Sequence, residues 1–87
     1  MIILVYSSHF LKSARKLPKA QQNKLAKLLE IFQKNPFQSQ LHSKSLSGQL
    51  SGLYSFRITR DWRVIFKFIS PDEIQLVDVA HRKDIYK

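Results

Sequence analysis

Arg57 and Arg63 stand on either side of a short turn in the run LYSFRITRDWRVIFKF. If the flanking segments pair as a hairpin, two guanidinium groups meet. Each is planar, permanently charged and able to grip a phosphate through two parallel hydrogen bonds. A third arginine, Arg82, lies in the tail HRKDIY, beside His81 and four residues before Tyr86. Histidine titrates near neutrality and tyrosine offers a flat ring with a hydroxyl. Together these residues suit chemistry at a phosphate: cations to hold developing negative charge, an imidazole to move a proton, a ring to stack. The structural alternatives for the same residues are solvated strand arginines or partners for Asp78 and Asp84, a histidine that merely ends a strand, and a tyrosine that caps the core. Spacing alone leaves both sets open.

The elements that must position these groups follow from alternation. Tyr54, Phe56 and Ile58 fall on one face of a strand, and Ser55, Arg57 and Thr59 on the other. Trp62, Val64, Phe66 and Phe68 form the apolar face of the next strand, leaving Arg63 and Lys67 on its reverse. If both apolar sets share one core, Arg57 must sit directly or diagonally across from Arg63. Like charges so placed destabilise a sheet, so a polyanionic partner is the natural reason to have them.

Composition supports that partner. Fifteen Lys and Arg face six Asp and Glu, a formal charge of +9. Before Asp61 the only acid is Glu30; the remaining acids fall from Asp61 onward. Such asymmetry is the electrostatic footprint of a protein that meets nucleic acid or an acidic polypeptide. The 87 residues make one domain, 1–87, of marginal stability. The absence of cysteine excludes a disulfide framework and a thiolate metal site. His9, His42 and His81 lack ligand-like spacing, so no metal site is expected, and no cofactor motif such as a Gly-rich phosphate loop or nucleophile elbow occurs. The N-terminal MIILVY is too short for a signal core or a membrane span, which implies a cytoplasmic protein.

In chain order, Ile2–Tyr6 reads as a buried strand, with Ser7 or Ser8 capping the helix after it. Phe10, Ala14 and Leu17 have helical spacing; Pro18 interrupts and can occupy the first turn of a second helix. There Leu25, Leu28, Leu29 and Phe32 form an apolar stripe, until Asn35-Pro36 stops the helix. Residues 37–52 are Ser- and Gln-rich and read as one long loop, its Leu41, Leu46 and Leu50 tucked against the core. Ser70-Pro71-Asp72-Glu73 is a turn, and Ile74–Ala80, apolar on both parities, suits a central strand. The fold class is therefore α+β: β-α-α-β-β-β, a helical hairpin on one face of a mainly antiparallel four-stranded sheet.

With these pieces in order, the chain resembles the RelE/ParE superfamily of toxins from toxin–antitoxin pairs. The likeness covers nearly all of it: the strand, the hairpin with LPKA at its bend, the loop ending LSGQLSG, then LYSFRITRDWRVIFKF and VAHRKDIYK. It is nearest to the RelE-like branch, whose members are ribosome-dependent mRNA endonucleases that cut the codon in the A site. By that resemblance, Arg57 matches a basic strand position and Arg63 the arginine after the hairpin aromatic. Arg82 matches a phosphate-stabilising arginine, and Tyr86 a tyrosine on which an mRNA base stacks. Lys44, Arg60, Asp61 and Lys83 fall at the rim as RNA contacts. Two departures stand out. Ser55 occupies the place of a lysine to which RelE's proton-accepting role is given, and the chain lacks a helix beyond the tyrosine. His81 is the candidate to compensate, since related toxins of the YafQ and YoeB kind carry a histidine near this end. The resemblance further implies an acidic antitoxin partner, with mRNA and the ribosome as targets. The alternatives are a gyrase inhibitor of the ParE branch, or a decayed toxin that only binds RNA, for which Ser55 is the best argument.

Overall fold

The structure, a computed structural model, describes residues 1–85. Its elements run β1 (Ile3–Tyr6), α1 (Ser8–Arg15), α2 (Lys19–Lys34), β2 (Lys44–Ser45), β3 (Tyr54–Arg57), β4 (Trp62–Ser70), β5 (Glu73–His81) and α3 (Arg82–Ile85). Ser7 caps α1: its Oγ accepts from the Phe10 N–H at 3.0 Å and donates to the Val77 carbonyl at 2.8 Å, tying the helix to β5. Pro18 stands at the cap of α2, one step before the first turn, where its carbonyl accepts from the Gln21 and Gln22 N–H groups. Asn35 adopts an extended conformation (φ −154°) ahead of Pro36 and ends α2, as the steric clash with a following proline requires. Among the described residues no helix is long and apolar enough to cross a membrane.

The sheet order is β1-β5-β4-β3-β2, with β1 parallel to β5 and every other pair antiparallel. The expected four strands are all present, and β2 makes a fifth on the free edge of β3. It lies inside the stretch read as loop, because a two-residue strand is too short to leave an alternating pattern. The rest of that stretch is shaped by two single 3₁₀ turns, Ser39–Leu41 and Gly48–Leu50.

Leu25, Leu28 and Phe32 of α2 bury against the sheet face carrying Phe56, Val64, Phe66 and Leu76. Phe32 is the centre of this core, its ring 4.8 Å from those of both Phe56 and Phe66. Leu41 joins the same core. Leu46 and Leu50 do not: they line a cavity with Ile65 and Ala80 on the reverse face of the sheet. The expectation that all three leucines pack against one core holds for Leu41 alone. The chain instead folds over the edge at β2, so that its second half covers the other side. The mixed parity of β5 also has a local cause. Phe66 pairs with Leu76 and Ile65 with Asp78, so Val77 is an extra residue that switches the core-facing set from Ile74 and Leu76 to Val79.

Candidate functional site

The β3–β4 hairpin fixes the arginine pair. Tyr54 pairs with Phe66, Phe56 with Val64 and Arg57 with Arg63. Since Phe56, Ile58, Val64 and Phe66 are buried in the core, Arg57 and Arg63 both stand on the opposite face, directly across from each other. The next position in the same row is Ala80 of β5, the partner of Arg63. A small residue there leaves space above the sheet beside the guanidiniums. Arg63 is 6% exposed, so it is a buried cation and not a solvated strand residue. Arg57 is half-buried, and its Nε is enclosed with no hydrogen-bond partner among the described residues.

Arg82 reaches the same end of the sheet by another route. The hairpin loop closes with the Ile58 and Thr59 N–H groups donating to the Trp62 carbonyl, at 2.9 and 3.2 Å. This turns Asp61 towards the end of β5, where its carbonyl accepts from the Arg82 N–H at 2.8 Å. The Arg82 Nε lies 3.5 Å from the Asp61 carboxylate, with side-chain exposures of 45% and 52%. Such an exposed pair contributes under about 1 kcal/mol to stability; its consequence is to aim the arginine. Asp61, expected as an RNA contact, is thus first a tether for Arg82. Arg60 beside it and Lys83 in α3 are exposed at the same end.

His81 is close by but on the other parity. It pairs with Trp62, whose neighbours Val64 and Val79 face the core, and its ring meets the indole edge-on at 5.2 Å. The His81 Nδ1 accepts the Lys83 N–H at 3.2 Å, so in the neutral ring Nε2 carries the proton. As folded, this imidazole offers a donor at Nε2 and does not share the sheet face of Arg57 and Arg63. Tyr86 lies outside the described residues.

Ser55 is completely buried on the arginine face, its Oγ without a hydrogen-bond partner among the described residues. Its cross-strand neighbours are Lys44 on β2 and Ile65 on β4. Lys44 therefore stands one ladder step from the position at which the resemblance expected a lysine. Asp78, considered from sequence as a partner for the arginines, is otherwise engaged: its Oδ1 accepts from Ser13 Oγ at 2.8 Å and lies 3.3 Å from His9 Nε2. That link between α1 and the β5 bulge had no signal in the sequence. Among the described residues no three His, Cys, Asp or Glu side chains are grouped to hold a metal ion. The arrangement gathers Arg57, Arg63 and Arg82 at one sheet end, with Lys44 a row away and a proton donor at the rim.

An α+β fold of this kind is shared with solved toxin structures. YafQ from E. coli strain BL21(DE3) superposes with a TM-score of 0.79 over 100% of both chains at 19% identity. YafQ in the E. coli DinJ–YafQ toxin–antitoxin complex gives 0.77 over 99% of this chain and 98% of that one, at 18% identity. The archaeal RelE–RelB complex from Pyrococcus horikoshii gives 0.76 over 93% and 94%, at 22% identity. These likenesses define a RelE-like fold. Residues 6–80 match the model of the HigB-like toxin family, RelE-like toxins of the type II toxin–antitoxin system HigB, and the chain belongs to that family. No curated protein sequence matches it.

Proposed function

We propose that this toxin is a ribosome-dependent mRNA endonuclease that acts in the cytoplasm, cutting the codon in the A site. The observation that carries the reading is the direct Arg57–Arg63 cross-strand pair, one of whose members is buried, with Arg82 tethered at the same sheet end. A fold does not set like charges across a ladder for stability. A scissile phosphate would resolve their repulsion.

In the reaction, the 2′-OH attacks the neighbouring phosphorus, the P–O5′ bond breaks, and the products are a 2′,3′-cyclic phosphate and a 5′-OH. Arg57, Arg63 and Arg82 would stabilise the pentacoordinate dianion, the electrostatic contribution that is usually largest. His81 is the residue expected from sequence to move a proton; while Nδ1 accepts the Lys83 N–H the ring is neutral, so its Nε2–H can hydrogen-bond the departing O5′ but protonates it only as the imidazolium, in which Nδ1 releases that bond. To accept the 2′-OH proton instead, the ring would have to give up that bond. Lys44, across from Ser55, brings a cation to the neighbourhood in which the resemblance expects a lysine. Tyr86 is retained as the base-stacking residue on the resemblance alone. No step calls for a cofactor. Slow intrinsic acid–base chemistry fits an enzyme whose substrate is positioned by the ribosome.

The partner is an acidic antitoxin. RelE with RelB and YafQ with DinJ are toxin–antitoxin complexes of the same fold, and a +9 surface is complementary to an acidic segment. The test is a cell-free translation reaction with primer extension. Cuts within A-site codons, suppressed in Arg82→Ala, are expected. Intact mRNA while synthesis halts would overturn the nuclease reading, and inhibition of gyrase supercoiling by the purified protein would replace it with the ParE-type one.

A further inference from the structure

Helices α1 and α2 lie on the sheet face opposite the arginine row, and between them and the end of β1 runs an open groove of about 250 Å³. Phe10 and Leu25, both part of the core, close its base. Ala14 and Ala26 keep it open, because neither side chain is long enough to fill it. Tyr6 and Leu11 line its mouth and stay 47% and 41% exposed. Gln22 braces one end: its Nε2 donates to the Arg15 carbonyl at 3.1 Å and to the Leu17 carbonyl at 2.8 Å, joining the two helices. The groove is thus preformed, which lowers the entropic cost of filling it.

Its surroundings identify an occupant. Arg15 lines the groove, and Lys12, Lys16 and Lys19 stand exposed on the adjoining turns. Among the described residues none of these four forms an ion pair, and Glu30 is the one acid on either helix. An apolar floor rimmed by unpaired cations fits a partner with an apolar stripe and acidic flanks. That segment is a helix: an extended strand would bring unpaired N–H and C=O groups against an apolar lining, whereas a helix satisfies its own. The eight residues of α1 span about 12 Å, so about two turns of the partner cover them. RNA brings phosphates but no aliphatic side chains for the groove, and a second copy of this chain, itself at +9, would set cations against cations.

We propose that the α1–α2 groove is a docking surface for an acidic amphipathic helix of the antitoxin. This docking rests on the reading of an acidic antitoxin as partner, and it puts the anchor on the face opposite the arginines. Holding the toxin and blocking its site are then separate tasks. With extents of 31 × 29 × 27 Å, a path around half the molecule is about 45 Å, or about 14 extended residues, between the anchor and any segment that reaches Arg57. The probe is a synthetic peptide of about twenty residues, long enough to form a helix, with leucines at helical spacing and glutamate and alanine between them. Titrated into ¹⁵N-labelled protein, it should shift Leu11, Ala14 and Ala26, and bind about tenfold tighter than a scrambled peptide of the same composition. Ala26→Glu, at an exposed helical position, should weaken binding about tenfold while spectral dispersion reports an intact fold. Arg15→Glu should do the same, and gain affinity for a peptide with lysine in place of glutamate. Arg82→Ala should bind as wild type does. Equal binding of both acidic peptides at Arg57, Arg63 and Arg82 overturns the docking and leaves the acidic partner standing; binding of neither removes both. Groove shifts on concentrating the protein alone, or on adding single-stranded RNA, also overturn it, in favour of a second copy or a nucleic-acid surface. Ala26→Glu should still cut mRNA in the translation assay, and lost cleavage by this folded variant would overturn the groove as a separate anchor.

Discussion

Arg57→Met is the substitution for which stability and activity should move in opposite directions. Methionine keeps most of the aliphatic stem and removes the charge. In the folded protein Arg57 faces Arg63 across the ladder, and its buried Nε has no hydrogen-bond partner among the described residues. A like-charged cross-strand pair costs about 0.2–1 kcal/mol, and an enclosed unsatisfied donor about 1–3 kcal/mol. Arg57 is only half-buried, so solvent screens both effects and the lower ends apply. The variant should gain about 1 kcal/mol, which raises the melting temperature of a domain this size by about 4–8 °C. Activity should fall on the order of 10²–10³-fold, the loss expected when one preorganised donor to a transition-state anion is removed. Differential scanning calorimetry and primer extension on the same preparation read both. The thermal gain should shrink in about 1 M salt, where the Debye length contracts to about 3 Å. A variant that is less stable than wild type yet keeps its cleavage activity would show that Arg57 is structural, and the argument from repulsion would collapse.

Other outcomes follow from the same geometry. Arg82→Ala should lower cleavage about 10²-fold with little change in melting temperature, since its contact with Asp61 is exposed; wild-type activity would remove Arg82 from the site. Ser55→Ala should be neutral or slightly stabilising, by up to about 1 kcal/mol, and leave cleavage unchanged, because the buried hydroxyl has no partner among the described residues; lost cleavage would make Ser55 a participant. Phe32→Ala should cost about 3–5 kcal/mol, a large share of the stability of such a domain, and a urea midpoint close to wild type would contradict its place at the centre of the core. Ser7→Ala removes both an N-cap and a bond to the Val77 carbonyl; a loss of about 1–2 kcal/mol in urea unfolding is expected, and no loss would show the cap to be replaceable by water.

What could be read in the sequence was whatever repeats. Parity narrowed the Arg57–Arg63 pairing to direct or diagonal, since Phe56 and Val64 had to share one core, and the observed register is the direct one. The helical hairpin followed from the leucine spacing and the prolines that bound it. What escaped was set by single residues and by contacts distant along the chain. The extra Val77 changes the face of every later residue in β5, and that one insertion decides that His81 stands beside Trp62 and not among the arginines. An apolar run with both parities filled reads as a strand buried on two sides, so a bulge inside it leaves no mark. The β2 edge escaped because two residues have no period. Without it Leu46 and Leu50 could not be assigned to the reverse face.

Covering the reverse face also bears on how so small a domain tolerates its site. Burying Arg63 takes a cation out of water, which is costly unless partners or a ligand compensate. The β2–β3 connection covers Ile65 beside it, lowering the local dielectric in which the arginines act. A phosphate entering this environment is attracted more strongly than at an open surface. Arg57 faces Arg63 across the ladder with its enclosed Nε unsatisfied among the described residues, so an acidic partner that neutralises Arg57 should stabilise the fold as it covers the site. Binding that shields the arginines should therefore raise the melting temperature more for wild type than for Arg57→Met, whose repulsion is already relieved. An equal rise in both would mean that the partner's stabilising contacts lie elsewhere.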